Sequence, residues 1–235
     1  EEDLNRHVGE RVYEGQRGQP YRVLRTVKNR FGSTDEIGVF QMNERGMVGV
    51  TNPSRALLSE RPLDVSGSVV AAAFEGTRPL LVEIQALVTQ AAGGTPRRTV
   101  QGVDGNRVAL MSAILDKKAG LPLVSCDLFV NLTGGIRICE PALDLAIVAA
   151  MLSSFRDRPL DPDLVLFGEV GLAGEVRSVS HVAARLREAE ELGFQRCIVP
   201  QSTLGGALST RLQVIGVSHI SAVFPHLFAV DRKSV

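Results

Sequence analysis

The sequence predicts a mixed α/β (α+β) protein, because apolar strands alternate with helices along most of the chain. Of its 235 residues, 44% are hydrophobic and 22% are charged, and 26 basic side chains balance 26 acidic ones. This composition argues against intrinsic disorder and allows one large domain, or a domain with part of another. Zero net charge gives no overall attraction to nucleic acid, but it does not exclude a local basic patch on the surface.

The first fifty residues have the pattern of short strands. Two strands joined by a glycine-containing turn are predicted for 12–13 and 21–28, and the second alternates in polarity. Another short strand is predicted for 37–42. The polar stretch at 52–68 then indicates a domain junction.

From residue 69 onward the strands become longer and more apolar, as suits a sheet covered on at least one face. Strands are predicted for 69–74, 80–88, 128–132, 164–167, 197–200 and 212–215. Helices are predicted for about 104–118, for 140–155 and for a segment with a stripe of Val182, Leu186, Ala189 and Gly193. The helix at 140–155 is apolar nearly all round and should therefore be buried.

Three cysteines, Cys126, Cys139 and Cys197, lie in apolar segments without CxxC spacing. This pattern predicts buried, reduced thiols, no zinc site and a cytoplasmic location. No membrane span is expected, because the longest segment without charged residues, 212–230, is interrupted by proline, glutamine and histidines. The chain starts at Glu1 without methionine, and we expect a fragment of a longer protein.

Lys28 and Arg30 form the sharpest local feature. On an extended strand, residues two apart point to the same side, so both cations would face one site. Such a pair suits the negative charge of a phosphoryl group in transfer. The alternative, favoured by spacing alone, is two solvated cations beside a turn at Phe31 and Gly32. None of the four lysines follows a glycine, so the sequence contains no phosphate-binding P-loop.

The residues around this pair resemble a known family. Lys28, Asn29, Arg30, Phe31 and Gly32 read KNRFG, which resembles the signature of the bacterial RadA (Sms) DNA-repair family. The flanking YRVLR at 21–25 and TDEIGVF at 34–40 are similar to it as well. Further segments resemble the family's C-terminal Lon-protease-like domain, so the resemblance covers most of the chain: LVEIQALV at 81–88, PRR at 96–98, GVDGNR at 102–107 and FGEVGLAGE at 167–175.

This resemblance implies three regions: the last strands of a RecA-like ATPase core in 1–50, a linker in 51–66, and a Lon-protease-like (ribosomal protein S5 domain 2-like) domain in 67–235. It implies a parent protein with a zinc module that uses ATP with Mg, forms a hexameric ring and processes recombination intermediates on single-stranded or branched DNA. A RecA-type recombinase is an expected partner. Lys28 and Arg30 would then reach the nucleotide of the neighbouring subunit. We expect no cofactor in this chain itself, and no ATP hydrolysis by it alone.

The resemblance also implies a lost peptidase site. Lon peptidases pair a serine in a GPSAG-like turn with a lysine on a later helix. Here the turn at 140–144 reads EPALD, so Ala142 stands at the serine position, and Ala183 stands at about the lysine position. Alanine offers neither a hydroxyl nor an amine, and Arg185, if shifted into place, would stay protonated.

Other hydroxyl groups offer no obvious replacement for that dyad. None of them has a lysine or a well-placed histidine nearby in the sequence: Ser153, Ser154, Ser178 and Ser180. His181 follows Ser180 directly, but neighbours on a helix point about 100° apart. An active serine peptidase is therefore the least expected function.

Loop arginines are the remaining candidates for contact with DNA. Arg97 and Arg98 lie in a Gly/Pro-containing segment and Arg107 lies at a helix start, where they are predicted to contact the phosphates of single-stranded DNA. Arg156 and Arg158 are a weaker pair of candidates. The alternative is that these arginines are solvated or pair with nearby aspartates, in which case the chain is a structural oligomerisation module without DNA contact.

Overall fold

The computed structural model describes residues 11–14, 21–26, 37–44, 46–91, 93–206 and 208–228. The N-terminal strands form a four-stranded antiparallel sheet in sequence order. Its strands are β1 (Arg11–Glu14), β2 (Tyr21–Thr26), β3 (Ile37–Asn43) and β4 (Gly46–Gly49). The first three agree with the predicted strands. The fourth was not predicted, because its four residues include a glycine at each end and show no alternation.

The rest of the chain is built on a seven-stranded mixed sheet. Its strands are β5 (Ser68–Glu75), β6 (Arg78–Gln90), β7 (Arg98–Gln101), β8 (Cys126–Leu132), β9 (Leu164–Leu166), β12 (Arg196–Pro200) and β13 (Gln213–Val217). β10 (Glu169–Val170) and β11 (Val176–Arg177) form a separate ribbon. The sheet order is β13-β12-β9-β5-β6-β8-β7, and only the β5–β6 and β6–β8 pairs are antiparallel. The predicted mixed α/β class is confirmed.

Within the described residues, five α-helices accompany these strands: α1 (Pro53–Leu57), α2 (Gly105–Ala119), α3 (Asp144–Phe155), α4 (Val182–Glu191) and α5 (Phe224–Leu227). Asp104 caps α2 by accepting from two backbone N–H groups, and Gly120 ends it in the left-handed conformation. α3 is buried over nearly its whole length, as its sequence predicted. It begins at Asp144 rather than at 140, because a 3-10 turn over Pro141–Leu143 precedes it.

Alternate residues of the central strands face two different cores. In β5, Val69, Ala71 and Ala73 belong to a large core that includes α2 and α3, whereas Val70 and Ala72 face a smaller core beneath α4. Both faces are therefore covered where β5 and β9 pair, which explains their continuous apolar sequence. The α4 side is open further along the sheet, over β6, β8 and β7.

The small sheet and the large domain share the large core. Val23 and Val39 of the small sheet belong to it together with Leu57 of α1. α1 lies inside the predicted linker 51–66, and Pro53, Ser54 and Leu57 are buried there. The start of that segment is thus packed structure, although its polar composition indicated a junction.

The cysteines agree with the prediction in part. All three are free; Cys126 and Cys197 are buried, and burial raises the pKa of the Cys197 thiol. The expectation that Cys139 is buried was wrong, because it lies in the exposed irregular segment before the turn at 140–144. Within the described residues, no helix combines the length and the apolar character needed to cross a membrane.

Candidate functional site

The turn at 140–144, where the sequence predicted a lost nucleophile, is the most constrained part of the domain. Ala142 is 1% exposed, and its carbonyl accepts a hydrogen bond from Gly168 N at 2.9 Å. Leu145 N donates in return to the Gly168 carbonyl at 3.1 Å. These two bonds fix the turn to the chain just after β9.

Glu140, at the first end of this turn, forms an ion pair with Arg185 of α4. The Arg185 side chain has no exposed surface, and its Nη2 donates to Glu140 Oε1. Its Nη1 donates to Glu140 Oε2 at 3.1 Å and to the Ala72 carbonyl at 2.6 Å, and its Nε donates to the Ser180 carbonyl at 3.0 Å. Glu140 Oε2 also accepts from Phe74 N at 2.7 Å. The buried charge is therefore paired and hydrogen-bonded, as burial in an apolar layer requires.

Aromatic rings complete the surroundings of Arg185. The centres of the Phe74 and Phe167 rings lie 5.6 Å and 5.7 Å from the guanidinium carbon. Both distances are within the range of cation–π attraction. The His181 ring stacks on Phe74 with centroids 4.0 Å apart, and His181 itself has a left-handed backbone with φ of 58°. This side of the turn is thus filled with side chains.

Asp144, at the other end of the turn, pairs with Arg107 of α2. Arg107 Nε donates to Asp144 Oδ1 at 3.1 Å and Nη2 donates to Oδ2, which also accepts from Val170 N at 3.0 Å. Burial raises the pKa of the Asp144 carboxyl, and the hydrogen bonds from Arg107 and Val170 oppose that shift. The hydrogen bond to Asp144 raises the pKa of the Arg107 guanidinium. Both ends of the turn are therefore anchored, one to α4 and one to α2.

The turn itself, residues 140–144, offers no hydroxyl or thiol as a nucleophile and no amine as a base. Ala142 lies between the two ion pairs without a hydroxyl, and Ala183 is exposed on α4. The side chain that reaches the turn from α4 is Arg185, two residues further along, and a guanidinium stays protonated. The pocket beside the turn holds about 160 Å³ and includes Arg107, Cys139 and Asp144. Chemically, the residues of the turn can hold charge in place but cannot form an acyl intermediate.

The hydroxyl groups of Ser153 and Ser154 are hydrogen-bonded to the backbone. Ser153 Oγ donates to the Arg158 carbonyl at 2.6 Å and accepts from Gly67 N at 2.9 Å. Ser154 Oγ accepts from Val88 N at 2.9 Å. Ser180 contributes its carbonyl to Arg185. These contacts stabilise the loops around α3 and α4.

The predicted DNA-contacting arginines differ in how free their side chains are. Arg97 is exposed, and its guanidinium makes no hydrogen bond or ion pair within the described residues. Arg98 opens β7 and donates to the carbonyls of Leu123, Val124 and Cys126. Arg107 is paired with Asp144. The KNRFG motif (Lys28, Asn29, Arg30, Phe31 and Gly32), with the two cations predicted to act at the nucleotide, Lys28 and Arg30, lies outside the described residues.

Sequence reasoning missed the two carboxylates of the turn. Glu140 and Asp144 flank three apolar residues and precede an apolar helix, where a charge has no solvent partner. That placement was the available signal, since carboxylates are seldom buried unless paired. In the part of the chain that the structure describes, no group of three His, Cys, Asp or Glu side chains could hold a metal ion.

A second candidate surface is the open part of the sheet over β6, β8 and β7. It forms a groove of about 500 Å³ with no charged residue in its lining. Leu87 is 58% exposed there, opposite Phe129, and amide side chains such as Gln85, Gln101 and Asn131 surround it. Depletion of charge around an exposed apolar centre is typical of protein contact surfaces rather than phosphate-binding ones.

The sequence is similar to one family model over part of its length and to several named proteins over most of its length. Residues 91–203 match the family model of ChlI, the ChlI subunit of Mg-chelatase. The "DNA repair protein RadA" of Halalkalibacterium halodurans is 49% identical over 209 residues, which are 88% of this chain and 46% of that relative. The proteins of the same name from Bacillus subtilis and Brucella abortus are 49% and 52% identical, over 89% and 81% of this chain and 46% and 41% of theirs. The chain thus spans about half the length of the curated relatives it matches.

Replacing Arg185 by methionine tests the first ion pair. Arg185→Met keeps much of the side-chain length but leaves Glu140 and the Ala72 carbonyl without their donor, so we expect the free energy of unfolding to fall by about 3–5 kcal/mol. Urea denaturation followed by circular dichroism measures this change. Arg187→Met is the matched control on the exposed side of α4 and should change stability by about 0.5 kcal/mol or less. Equal effects of the two substitutions would contradict the role assigned to Arg185.

Proposed function

The chain belongs to the RadA family of DNA repair proteins over the half of their length that it matches, and we propose that it supplies a proteolytically inactive, Lon-protease-like module to a DNA-dependent ATPase. In this proposal the whole protein processes recombination intermediates by branch migration. The observation that carries the inactive module is the turn at 140–144, where buried ion pairs hold Ala142 in place of a nucleophile. The mixed sheet with α2 and α3 on one face and α4 on the other is consistent with the Lon-like interpretation.

The rest of the proposal concerns the longer protein. We propose that it is cytoplasmic, contains a zinc module and uses ATP with Mg on a part of the protein outside this chain. It would act as a hexameric ring on single-stranded or branched DNA, together with a RecA-type recombinase. The names of the relatives support the role in DNA repair, and the remainder follows from the resemblance of residues 21–40 and of the later segments to the RadA family.

Lys28 and Arg30 are proposed as the cations that reach the nucleotide of the neighbouring subunit. They lie on the segment that joins β2 to β3 in the sequence. Positive charge placed at a transferring phosphoryl group stabilises the transition state more than the bound ground state. The expected signature is therefore a loss of rate rather than a loss of ATP affinity.

The test is Lys28→Ala in the full-length protein that contains this chain. We expect DNA-stimulated ATP hydrolysis to fall by about 10³-fold or more in kcat, the range known for arginine fingers, with KM for ATP within a factor of about three. Lys117→Ala, an exposed lysine of α2, is the matched control and should leave both parameters unchanged. A Lys28→Ala protein with normal ATPase and unwinding rates would contradict the proposed role.

We propose that this module guides DNA mainly through Arg97. It is the one of the three predicted arginines whose guanidinium is not bound within the described residues. Arg98 and Arg107 hold carbonyl and carboxylate groups of the chain itself, whereas the Arg97 guanidinium is free to contact a phosphate. Phosphate contacts add a salt-dependent term for each cation that displaces counterions. A guide of this kind would bind single strands weakly and without sequence preference.

Fluorescence anisotropy with labelled single-stranded DNA across a salt series tests this guidance. Arg97→Ala should weaken binding and reduce the slope of log K against log salt by about 0.7, which is one phosphate contact on a single strand. Arg187→Ala serves as the control, since it removes an exposed arginine of α4 that is not a candidate for DNA contact. The absence of salt-sensitive binding by the unmodified chain would assign DNA contact to other parts of the protein.

The alternative function is a structural oligomerisation module without DNA contact. The open, uncharged groove centred on Leu87 favours it, because such a surface can bury apolar area against another subunit. In this alternative, Lys28 and Arg30 would affect only the contacts between subunits.

Sedimentation velocity of the chain at micromolar concentration tests the alternative. If the groove joins copies of the chain, Leu87→Asp should convert the oligomer to a monomer, because a charge would be buried unpaired in the contact. Leu172→Asp, which changes a leucine that is 71% exposed in the turn between β10 and β11, should sediment like the unmodified chain. A monomeric unmodified chain, or a Leu87→Asp oligomer, would contradict this use of the groove.

A further inference from the structure

α1 is held in place by tertiary contacts rather than by its own stability. It contains five residues, far fewer than an isolated helix needs. Asn52 caps it by accepting from Arg55 N at 2.9 Å, and Pro53, Ser54 and Leu57 are buried. Its position therefore depends on what those buried residues contact.

The Ser54 hydroxyl joins three elements of the fold. It has no exposed surface, donates to Glu188 Oε1 of α4 at 2.5 Å and accepts from Leu81 N of β6 at 3.0 Å. β6 pairs with β8 only from Ile84 onward, so at Leu81 the side of β6 away from β5 has no strand partner. Ser54 supplies the missing acceptor, and without it a buried backbone N–H would be left unsatisfied.

The opposite side of α1 contacts the small sheet. The Tyr21 hydroxyl of β2 donates to the Ala56 carbonyl at 3.0 Å, and Leu57 packs in one core with Val23 and Val39. Gly134 makes room for Leu57, since a Cβ at that position would lie 2.5 Å from Leu57 Cδ2. α1 is thus inserted between the two sheets and contacts both.

We infer that Ser54 is a positioning residue whose hydroxyl locks α1, and through it β2 and β3, onto the main domain, so that the two sheets move as one body. Its consequence for activity rests on the proposed function, because the segment between β2 and β3 carries Lys28 and Arg30. The strands that flank this segment then have a fixed place relative to α4 and β6. Loosening the lock slows the step in which the two cations take part, without weakening the binding of ATP elsewhere.

Hydrogen–deuterium exchange on the chain itself tests the lock independently of any activity. Ser54→Ala should raise amide exchange in β2 and β3 at least tenfold, while exchange in β5 and β9 stays within twofold of the unmodified chain. Glu188→Ala should act in the same way, whereas Glu188→Gln keeps an acceptor oxygen and should restore slow exchange. Ser59→Ala is the control, because the Ser59 hydroxyl is exposed and donates only to the Ala56 carbonyl. An equal rise in every strand, or no rise in β2 and β3, would overturn the lock.

The consequence for activity is measured in the full-length protein. Ser54→Ala should lower kcat for DNA-stimulated ATP hydrolysis at least threefold with KM for ATP within twofold, and Ser59→Ala should leave both unchanged. Combined with Lys28→Ala it should add no further loss, because both changes affect one step. Additive losses, or a normal kcat for Ser54→Ala beside a defective Lys28→Ala, would overturn the positioning role and leave the proposed function standing. A normal kcat for Lys28→Ala would overturn the proposed function and, with it, that role.

Discussion

The buried ion pair between Arg185 and Glu140 is the interaction on which the arrangement of the main domain depends. A guanidinium without solvent contact is tolerated only if its donors are satisfied, and here a carboxylate and two backbone carbonyls satisfy them. Those partners belong to β5, to the turn at 140–144 and to the chain before α4. Asp144 binds Arg107 at the other end of the same turn. The five residues of the turn therefore connect α2, α3 and α4. Removing Glu140 would cost more than the pair itself contributes, since the charge of Arg185 would stay buried without a carboxylate.

The same pair decides what the site can do. A serine peptidase needs an exposed hydroxyl and a base that can lose its proton near neutral pH. Here the space beside Ala142 contains a permanently charged guanidinium, and two phenylalanine rings lie near it. Such surroundings stabilise a fixed charge and leave no room for a proton-transfer step. Restoring a serine at position 142 alone would place its hydroxyl in a buried position without a base. In the proposed inactive Lon-like module, this turn therefore has a structural rather than a catalytic role.

Elements with strong periodicity could be predicted from the sequence, and elements defined by tertiary contacts could not. α2 and α3 follow from their apolar stripes and from the cap at Asp104, and β5 and β6 follow from their apolar runs. α1 was interpreted as part of a linker, because its five residues are helical only while Ser54 and Leu57 are buried. The resemblance assigns the positions of the lost dyad to Ala142 and Ala183, and the structure adds that Arg185 of α4 pairs with Glu140 of the turn. Its contact with Glu140 spans 45 positions of sequence, and no local pattern encodes such a distance.

Several arginines hold parts of the fold together, and this changes how the basic residues are interpreted. Arg98 donates to three carbonyls in the segment that leads into β8. Arg61 donates to the Pro162 carbonyl, and Arg196 donates to both the Asp161 carboxylate and the His226 carbonyl. A planar group with five donors on three nitrogens can reach acceptors in several directions, whereas a lysine ammonium has only three donors, all on one nitrogen. The guanidinium groups of these arginines are hydrogen-bonded within the chain and are therefore not available to bind phosphates. Among the described residues, such arginines contribute less charge to a partner surface than their number suggests. The proposed contact of the described part with DNA therefore depends on cations, such as Arg97, whose side chains are not held by the fold.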